Sequence, residues 1–438
     1  MPAPFGIFSR IFGSSSTRSG IEAAAGGRRW KGVARLGTPQ QAALAARKPS
    51  KDRANGLYLN TPMAARGVET WTAELVGKGW QAQSQHPDRT IARRLNAEFE
   101  DLIAPLLPMI ARAVVRDGEA FIRLMLDDGG LRLVVLPADQ IDPELHRDHG
   151  GGARVVAGVE FDAADRVVAY HVLRDAPDAP FARFTDTVRV PEHDMLHVFD
   201  ALFPGQVRGL SWLVPVAVKI GDHDAANDAL LMKLKVEALL TGFIRDTSGG
   251  TGGFKDGESD WGDVSLEPGA MRILPPGADV TFTKPEAGSG QSEFLRAQQR
   301  EIAAGLGLTY EQLTGDLSGA NYSSARVGLL EFRRRAEMLQ RLLIEGQFLR
   351  PLWKRWIAVK ALAGEIAAAE IEEHQAVRFV APGWQWVDPA KEVAADVRAI
   401  EAGLKSRAEV VAGRGRDIAE LDEEIAADLR QTPMGPQA

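Results

Sequence analysis

The sequence predicts an α+β protein in which antiparallel strands and long helices are segregated. Three observations carry this. Two stretches alternate apolar and polar residues around turn residues: EAFIRLML turns at Asp127-Asp128-Gly129-Gly130 and returns as LRLVVL, and VAGVEFD turns at Ala163-Ala164-Asp165 and returns as RVVAYHVL. Such alternation closed by a short turn is the pattern of a β-hairpin. Apolar residues then recur at helical spacing through Leu329, Phe332, Ala336, Leu339, Leu343, Phe348, Leu352 and Trp356, which predicts a helix from Asn321 to Ala363. At ~1.5 Å per residue it would be about 65 Å long. Finally, residues 242–290, rich in Gly, Asp and Pro, lie between two helical stretches, Leu213–Leu240 and Ser292–Leu306. The pair would carry a small insertion out from the main body and back.

Each element has a local reason. Residues 1–55 hold ten Lys or Arg against two acids, too polar to bury much surface, and read as a flexible basic arm. Leu57–Val76 has helical spacing, with Pro62 in a first-turn position after Asn60 or Thr61 as cap. The glycines of VGKGW (Val76–Trp80) turn the chain into an extended segment, and Ile91–Val115 is a second helical zone. LPADQIDP ends the first hairpin, and the two hairpins together read as a half-buried antiparallel sheet with helices on one face. Gly221 weakens the first helix of the out-and-back pair by about 1 kcal/mol relative to Ala. Short extended pieces are expected in the insertion at Gly242–Arg245, Ala270–Leu274 and Val280–Lys284.

A polar loop, Thr314–Ala320, leads into the long helix, which Asn321 or Ser323 can cap. Arg333, Arg334 and Arg335 interrupt its apolar face with a basic band, and Pro351 should kink or restart it. Beyond it the charge reverses: residues 364–438 carry fifteen acids and eight Lys or Arg. Here a short strand and an aromatic turn precede a helix capped by Asp388, opened by Pro389 and closed by Gly403. Ser406 can cap the next helix. Asp417 with Glu420 begins the last one, Ile418–Leu429, before a tail after Arg430.

Composition excludes several classes. The chain has 438 residues, 45% hydrophobic and 25% charged, with no cysteine, so it has no disulfide or zinc–thiolate site,. A net charge of −7 argues against a general DNA binder, which is normally basic,, and suits a protein that surrounds DNA without gripping it. The most apolar run, Leu102–Val115, contains Pro105, Pro108 and Arg112 and is too short to span a membrane,. The N-terminus lacks the sustained apolar run of a signal peptide. Neither a P-loop, a dinucleotide-binding GxGxxG nor a GxSxG elbow occurs, so no catalytic residue and no cofactor is expected. His193 and His197 are four apart, but Glu192 precedes the pair instead of lying within it, and the segment reads as a strand entering a loop. Packing or surface histidines are expected there, not a metal site.

The stretch EIAAGLGLTYEQLTGDLSGANYSSAR, Glu301–Arg326, resembles the signature of tailed-phage portal proteins of the lambda type. The same family pattern is matched by GRRWKG (Gly27–Gly32), by VGKGW, by GEAFIR through LPADQIDP to VEFD and VVAYHV, by HVFDALFPGQVRGLSWLVP (His197–Pro215), and by W-x-W-V-D-P-x-K-E followed by I-E-A-G-L. The resemblance implies the portal fold: an antiparallel sheet wing over 56–213, stem helices at 214–241 and 291–306, a small clip at 242–290, and a tunnel loop at 307–320. It further implies a long wing helix at 321–366 and a helical crown at 367–438. It implies a ring, a dodecamer at one capsid vertex, through which double-stranded DNA passes without sequence specificity. The implied partners are the terminase large subunit, head–tail connector proteins, and major capsid and scaffold proteins. The implied location is the virion, after assembly in the host bacterial cytoplasm, with no membrane involved.

The resemblance also implies that Glu311, Thr314, Asp316, Ser318 and Asn321 face the channel. Between Gly307 and Ala320 there is no Lys or Arg, so this loop would repel phosphate, and small polar residues such as Ser318 and Gly319 would let it flex. Tyr322, Ser323, Arg326, Arg333, Arg334 and Arg335 would then belong to the signature helix, its arginines meeting acids of adjacent subunits. Two alternatives come from other classes. One is a helix-rich nucleic-acid-binding scaffold of non-viral role that uses the basic arm. The other is a hydrolase using His193, His197 and Asp200.

Overall fold

A computed structural model describes residues 37–127, 130–177, 179–180, 186–239, 243–246, 278–281, 289–319, 322–384 and 389–431. Helix α1 (Pro39–Asn60) runs into α2 (Pro62–Val76), with Thr61 between them in extended conformation and Pro62 opening the second helix. The basic arm expected through residue 55 is thereby corrected over its last part. Pro39–Asn60 is helical because Ala43 and Ala54 are buried and the cations Arg47 and Lys51 have acids to meet; residues 1–36 lie outside the described set. Gly77 (φ 53°) and Gly79 (φ 111°) turn the chain into strand β1 (Gln81–Ser84).

The second helical zone is two helices, α3 (Arg89–Ile103) and α4 (Leu107–Asp117). Asp88 caps the first, accepting from the backbone N–H of Thr90 and Ile91,. Strands β2 (Glu119–Asp127) and β3 (Gly130–Leu136) form the first predicted hairpin, and β9 (Met195–Phe199) adds to its other side in the order β3-β2-β9. The second hairpin, β6 (Val159–Phe161) and β7 (Val167–Leu173), belongs to a separate sheet with β4 (Arg147–Gly150), β5 (Ala153–Val156) and β8 (Thr187–Pro191), ordered β4-β5-β6-β7-β8. The single half-buried sheet expected from the sequence is thus two sheets. Pro137 and the short helical turn Ala138–Gln140 redirect the chain between them, leaving one bridge from Ile141 to Val172.

Strand β2 explains why both layers hold. Ala120, Ile122 and Leu124 join the helical core, while Phe121, on the opposite face, joins Ile141, Tyr170, Val172 and Met195 beneath the second sheet. Successive side chains point to opposite faces, so one strand serves two cores. The helical core is aromatic: Trp71 packs edge-on to Trp212 at 5.1 Å and against Phe332 at 4.9 Å, and Phe99 meets Trp353 at 4.9 Å. Burying each such side chain contributes about 3 kcal/mol.

Helices α5 (Ala217–Leu239) and α6 (Ser289–Leu306) are the predicted out-and-back pair, flanking an antiparallel ribbon of β10 (Phe243–Asp246) and β11 (Ala278–Thr281). The expected piece at Ala270–Leu274 lies outside the described residues. A short helix α7 (Tyr310–Thr314) precedes α8 (Tyr322–Leu339). The helical run continues through ten residues of wider π-helical turns, Gln340–Leu349, into α9 (Arg350–Leu362). Pro351 sits in the first turn of α9, but Leu349 and Arg350 before it are both helical, so the chain passes Pro351 without the break expected there. In the turns ahead of it the Arg350 N–H donates five residues back, to the Glu345 carbonyl. That register eases the clash a proline ring makes with the carbonyl four residues before it.

Helix α10 (Ile371–Gln375) leads to β12 (Val377–Val380), which pairs antiparallel with β1. Three helices follow: α11 (Pro389–Glu401), α12 (Arg407–Ala412) and α13 (Ile418–Gln431). The Ser406 hydroxyl accepts from the Glu409 N–H, and Asp417 accepts from the N–H groups of Ala419 and Glu420, as predicted. Asp388 falls outside the described residues. None of the described helices is long and apolar enough to cross a membrane.

Candidate functional site: the acidic loop and the arginine helix

The loop between α6 and α8 is more ordered than its composition suggests. Gly307 (φ 68°) ends α6, and Trp71 Nε1 donates to the Leu306 carbonyl at 2.9 Å. Thr309 and Gln312 form a reciprocal capping box: the Gln312 N–H donates to the Thr309 hydroxyl, and the Thr309 N–H to the Gln312 side chain,. Leu308 and Leu313 are buried, and Arg66 donates to the Gln312 carbonyl at 3.1 Å. Residues 307–314 are therefore anchored to the core by apolar side chains that a reading for charge overlooks. The polar stretch expected over Thr314–Ala320 is thus preceded, within 307–320, by this anchored half.

Beyond Gly315 (φ 72°) the loop closes on one carboxylate. Asp316 accepts from the Ser318 N–H at 3.0 Å, the Ser318 hydroxyl at 2.6 Å and the Tyr310 hydroxyl at 2.9 Å. Those bonds, the Ser318 pair foremost, pull its pKa down to about 2. Thr314 donates its hydroxyl to the Tyr310 carbonyl and accepts from the Asp316 N–H. Ser318 thus ties the loop instead of loosening it, a correction to the flexibility expected there. Arg300 lies over the Tyr310 ring at 5.5 Å, and Arg296 approaches Asp316 at 3.8 Å. The loop sequence is acidic, but α6 brings two cations to its edge. Glu311 is half-buried, Ser318 exposed, and Leu317, between the tied residues, is 69% exposed; Asn321 lies outside the described residues.

The signature helix separates its arginines. Tyr322 and Ser323 open α8, which sets Ser323 inside the helix and not at its cap. Arg326 is half-buried and lines a groove of about 460 Å³ with Leu330, Arg333, Trp384, Asp396 and Arg414. The Arg333 guanidinium lies 5.3 Å over the Trp384 ring, and that of Arg335 lies 5.6 Å over Trp71. Both serve contacts within the chain. Arg334, between them, points outward and is exposed. Arg333 is half-buried, whereas Arg335 keeps its ring contact from an exposed position, so of the three only Arg334 is both exposed and free of such a contact.

The histidine pair does not converge. His193 sits on a helical turn, 63% exposed, beside Asp194. His197 lies on β9, buried between the rings of Phe121 at 4.1 Å and Phe199 at 4.5 Å, with Nε2 3.0 Å from Glu119. Burial holds the His197 pKa below its ordinary value despite that carboxylate. Asp200 is pushed up by burial and countered by Arg335, not by either histidine. The hydrolase alternative finds no convergent group here. Among the described residues no cluster of three or more His, Cys, Asp or Glu could hold a metal ion.

The charged centre that sequence reasoning missed is Glu119. It is fully buried and accepts from Arg47 Nε at 2.8 Å, Arg208 Nη2 at 2.8 Å, and the Gly209 N–H at 3.0 Å. Burial alone would raise its pKa, but Arg208 and Arg47 override this and hold it well below the carboxylate range. Arg208 also donates to the carbonyls of Ala138 and Ala157, and Arg47 to that of Ala138. One carboxylate thus joins α1, β2, β9 and the loop before α5. A lone Glu opening an apolar strand was the available signal, but its partners are too distant in sequence to be paired with it by inspection.

Comparison with known proteins agrees with this architecture. A family model described as phage portal protein, lambda family, matches residues 26–340. The probable portal protein of Halomonas phage phiHAP-1 is 28% identical over 334 residues, 73% of this chain and 64% of its own length. Portal protein B of Escherichia phage lambda is 24% identical over 355 residues, 72% of this chain and 66% of its own length. The chain thus spans somewhat less than two thirds of these relatives. Among solved structures, a chain from the neck of an empty gene transfer agent particle superposes with a TM-score of 0.53 at 18% identity, covering 86% of this chain and 98% of that one. With the match running from before α1 through the end of α8, the chain belongs to the lambda family of phage portal proteins.

Proposed function

We propose that copies of this chain, twelve in the mature particle, form a ring at one capsid vertex and surround a channel for double-stranded DNA during packaging and ejection. The observation that carries this reading is helix α5. From Asp222 to Lys235 it buries only His223, while Leu231, Met232 and Leu234 are at least 50% exposed. A helix that shows apolar residues to solvent in this way needs neighbours on more than one side, and adjacent copies in a ring supply them. α6 covers one side, through Lys219 and Glu301 at 3.2 Å and His223 with Gln299. In this reading α5 and α6 are the stem, and residues 242–290 are the clip on which the terminase large subunit and then head–tail connector proteins dock. The remainder of the body is the wing and crown, meeting major capsid and scaffold proteins. The ring assembles in the host bacterial cytoplasm and stays in the virion. No reaction is assigned to the chain.

The loop of Glu311, Thr314, Asp316, Ser318 and Asn321 faces the channel in this reading. The segment has two carboxylates and no basic residue of its own, and the nearest cation, Arg296, is already turned to Asp316 at 3.8 Å, so repeated around a ring the loop gives phosphates little to settle on,. Native mass measurement and negative-stain imaging of the purified chain test the proposal. A hollow ring of about a dozen subunits, with weak and sequence-independent duplex binding, is expected. A monomer that binds duplex DNA tightly, with a steep fall as salt rises, would overturn it in favour of a nucleic-acid-binding scaffold.

A further inference from the structure

Helix α11 is built inside out. Glu392, Asp396 and Ala399, spaced i, i+4 and i+7, are half-buried against the rest of the chain, and the helix has no fully buried residue. Asp396 is held by Lys405 at 3.1 Å and Arg414 at 3.2 Å. The apolar residues lie about 100° round the helix from that face: Val393 is 41% exposed, Val397 47%, and Leu404, just past the helix end, 79%, with Ile400 between them. Steps of four, three and four residues make a heptad seam. An amphipathic helix ordinarily turns such a seam to its own core, and an exposed one marks an interaction surface.

A second exposed ridge lies on α8. Val327 is 67% exposed and Met338 56%, with Leu330 beside them. Arg334 lies four residues from both Leu330 and Met338, so it stands within this ridge. It is exposed and makes no ion pair among the described residues. Glu401 follows Val397 by four residues, at the edge of the α11 seam, and is likewise exposed with no ion pair among the described residues. Arg398 lies on the same helix but about 140° from the seam's centre at 100° per residue.

We propose that the α11 seam of one copy packs on the α8 ridge of the next copy, with Arg334 meeting Glu401 across the boundary. The occupant is a second copy because this one chain carries both halves: two apolar ridges of similar length, one with an unpaired cation and the other with an unpaired anion. The faces differ, so the contact is head-to-tail, the kind that closes into a ring. The inference rests on the ring reading above and adds the surface by which neighbours recognise one another.

The test uses the full chain and reads ring content by native mass and sedimentation, with circular dichroism as a check of folding. Arg334→Glu and Glu401→Arg should each lower the ring fraction at least tenfold, and the double charge swap should restore most of it. Val397→Asp should also abolish rings. Single variants that assemble like the parent, or a double swap no better than the singles, would overturn the proposal. A Val397→Asp ring of parental yield would do the same and assign the seam to another occupant, such as the N-terminal segment or a foreign protein. If the parent itself forms no ring, the ring reading falls and takes this interface with it; if the parent forms rings and the variants do too, only the interface falls.

Discussion

Glu119 is the side chain whose loss the molecule should tolerate least. Replacing it with Gln keeps the shape but leaves Arg208 and Arg47 as buried charges with no full counter-charge, at a cost of about 3–5 kcal/mol,. Urea unfolding should show the midpoint drop, and an unchanged midpoint would mean water reaches the site. Acid acts on the same place. His197 is held below its ordinary value of 6.5, and burial does the same to His223. Their neutral forms are favoured by folding, so this stability is present above about pH 6.5 and is lost as the pH falls below it. Glu119, held well below 4.5, contributes above that value and loses its contribution only in stronger acid. The urea midpoint should therefore be lower at pH 5.5 than at pH 7.5, and lower again near pH 3. In the loop, Ser318→Ala should return the Asp316 carboxyl from about 2 toward the ordinary range, read by a carbon-detected NMR titration; a value that stays put would leave Tyr310 as the controlling partner.

Gly118 and Gly209 show how tightly elements meet around that carboxylate. A Cβ on Gly209 would lie 2.1 Å from the Gly118 carbonyl oxygen, and Gly118 has φ 94° with the Leu210 backbone 2.2 Å from its own missing Cβ. Gly209→Ala must push two backbones apart and should cost about 2 kcal/mol or more, seen as a lower melting temperature; a neutral result would show that the loop before α5 can shift freely. Both glycines lie in segments that carry the family resemblance, yet nothing in their spacing announces that they touch. The elements themselves were largely legible. Alternation gave both hairpins, helical spacing gave α8 to α9, and Ser406 and Asp417 announced the helices they cap. What could not be read were relations between distant residues: that β9 completes the first sheet, that the two hairpins part at Pro137, and that α1 folds because Arg47 finds Glu119. At the candidate site the acids were visible, but not that Leu308 and Leu313 anchor half the loop, nor that two of three adjacent arginines turn to Trp384 and Trp71.

Across the molecule, the described surface divides into a well-packed body and helices whose apolar residues await cover. α5, α8 and α11 each leave such residues in solvent, and the ring and interface experiments above ask whether neighbouring copies cover them. The pairing of β1 with β12 bears on when that can begin. Ser84 is opposite Val377 and Gln81 opposite Val380, so a strand made early in synthesis has no partner until nearly the whole chain exists. At about 5–20 residues per second the partner arrives tens of seconds later. A polypeptide released before Val380 keeps a bare strand edge and lacks α11 altogether. The closed β1–β12 edge and the exposed seam of α11 therefore become available together, only when synthesis is nearly complete.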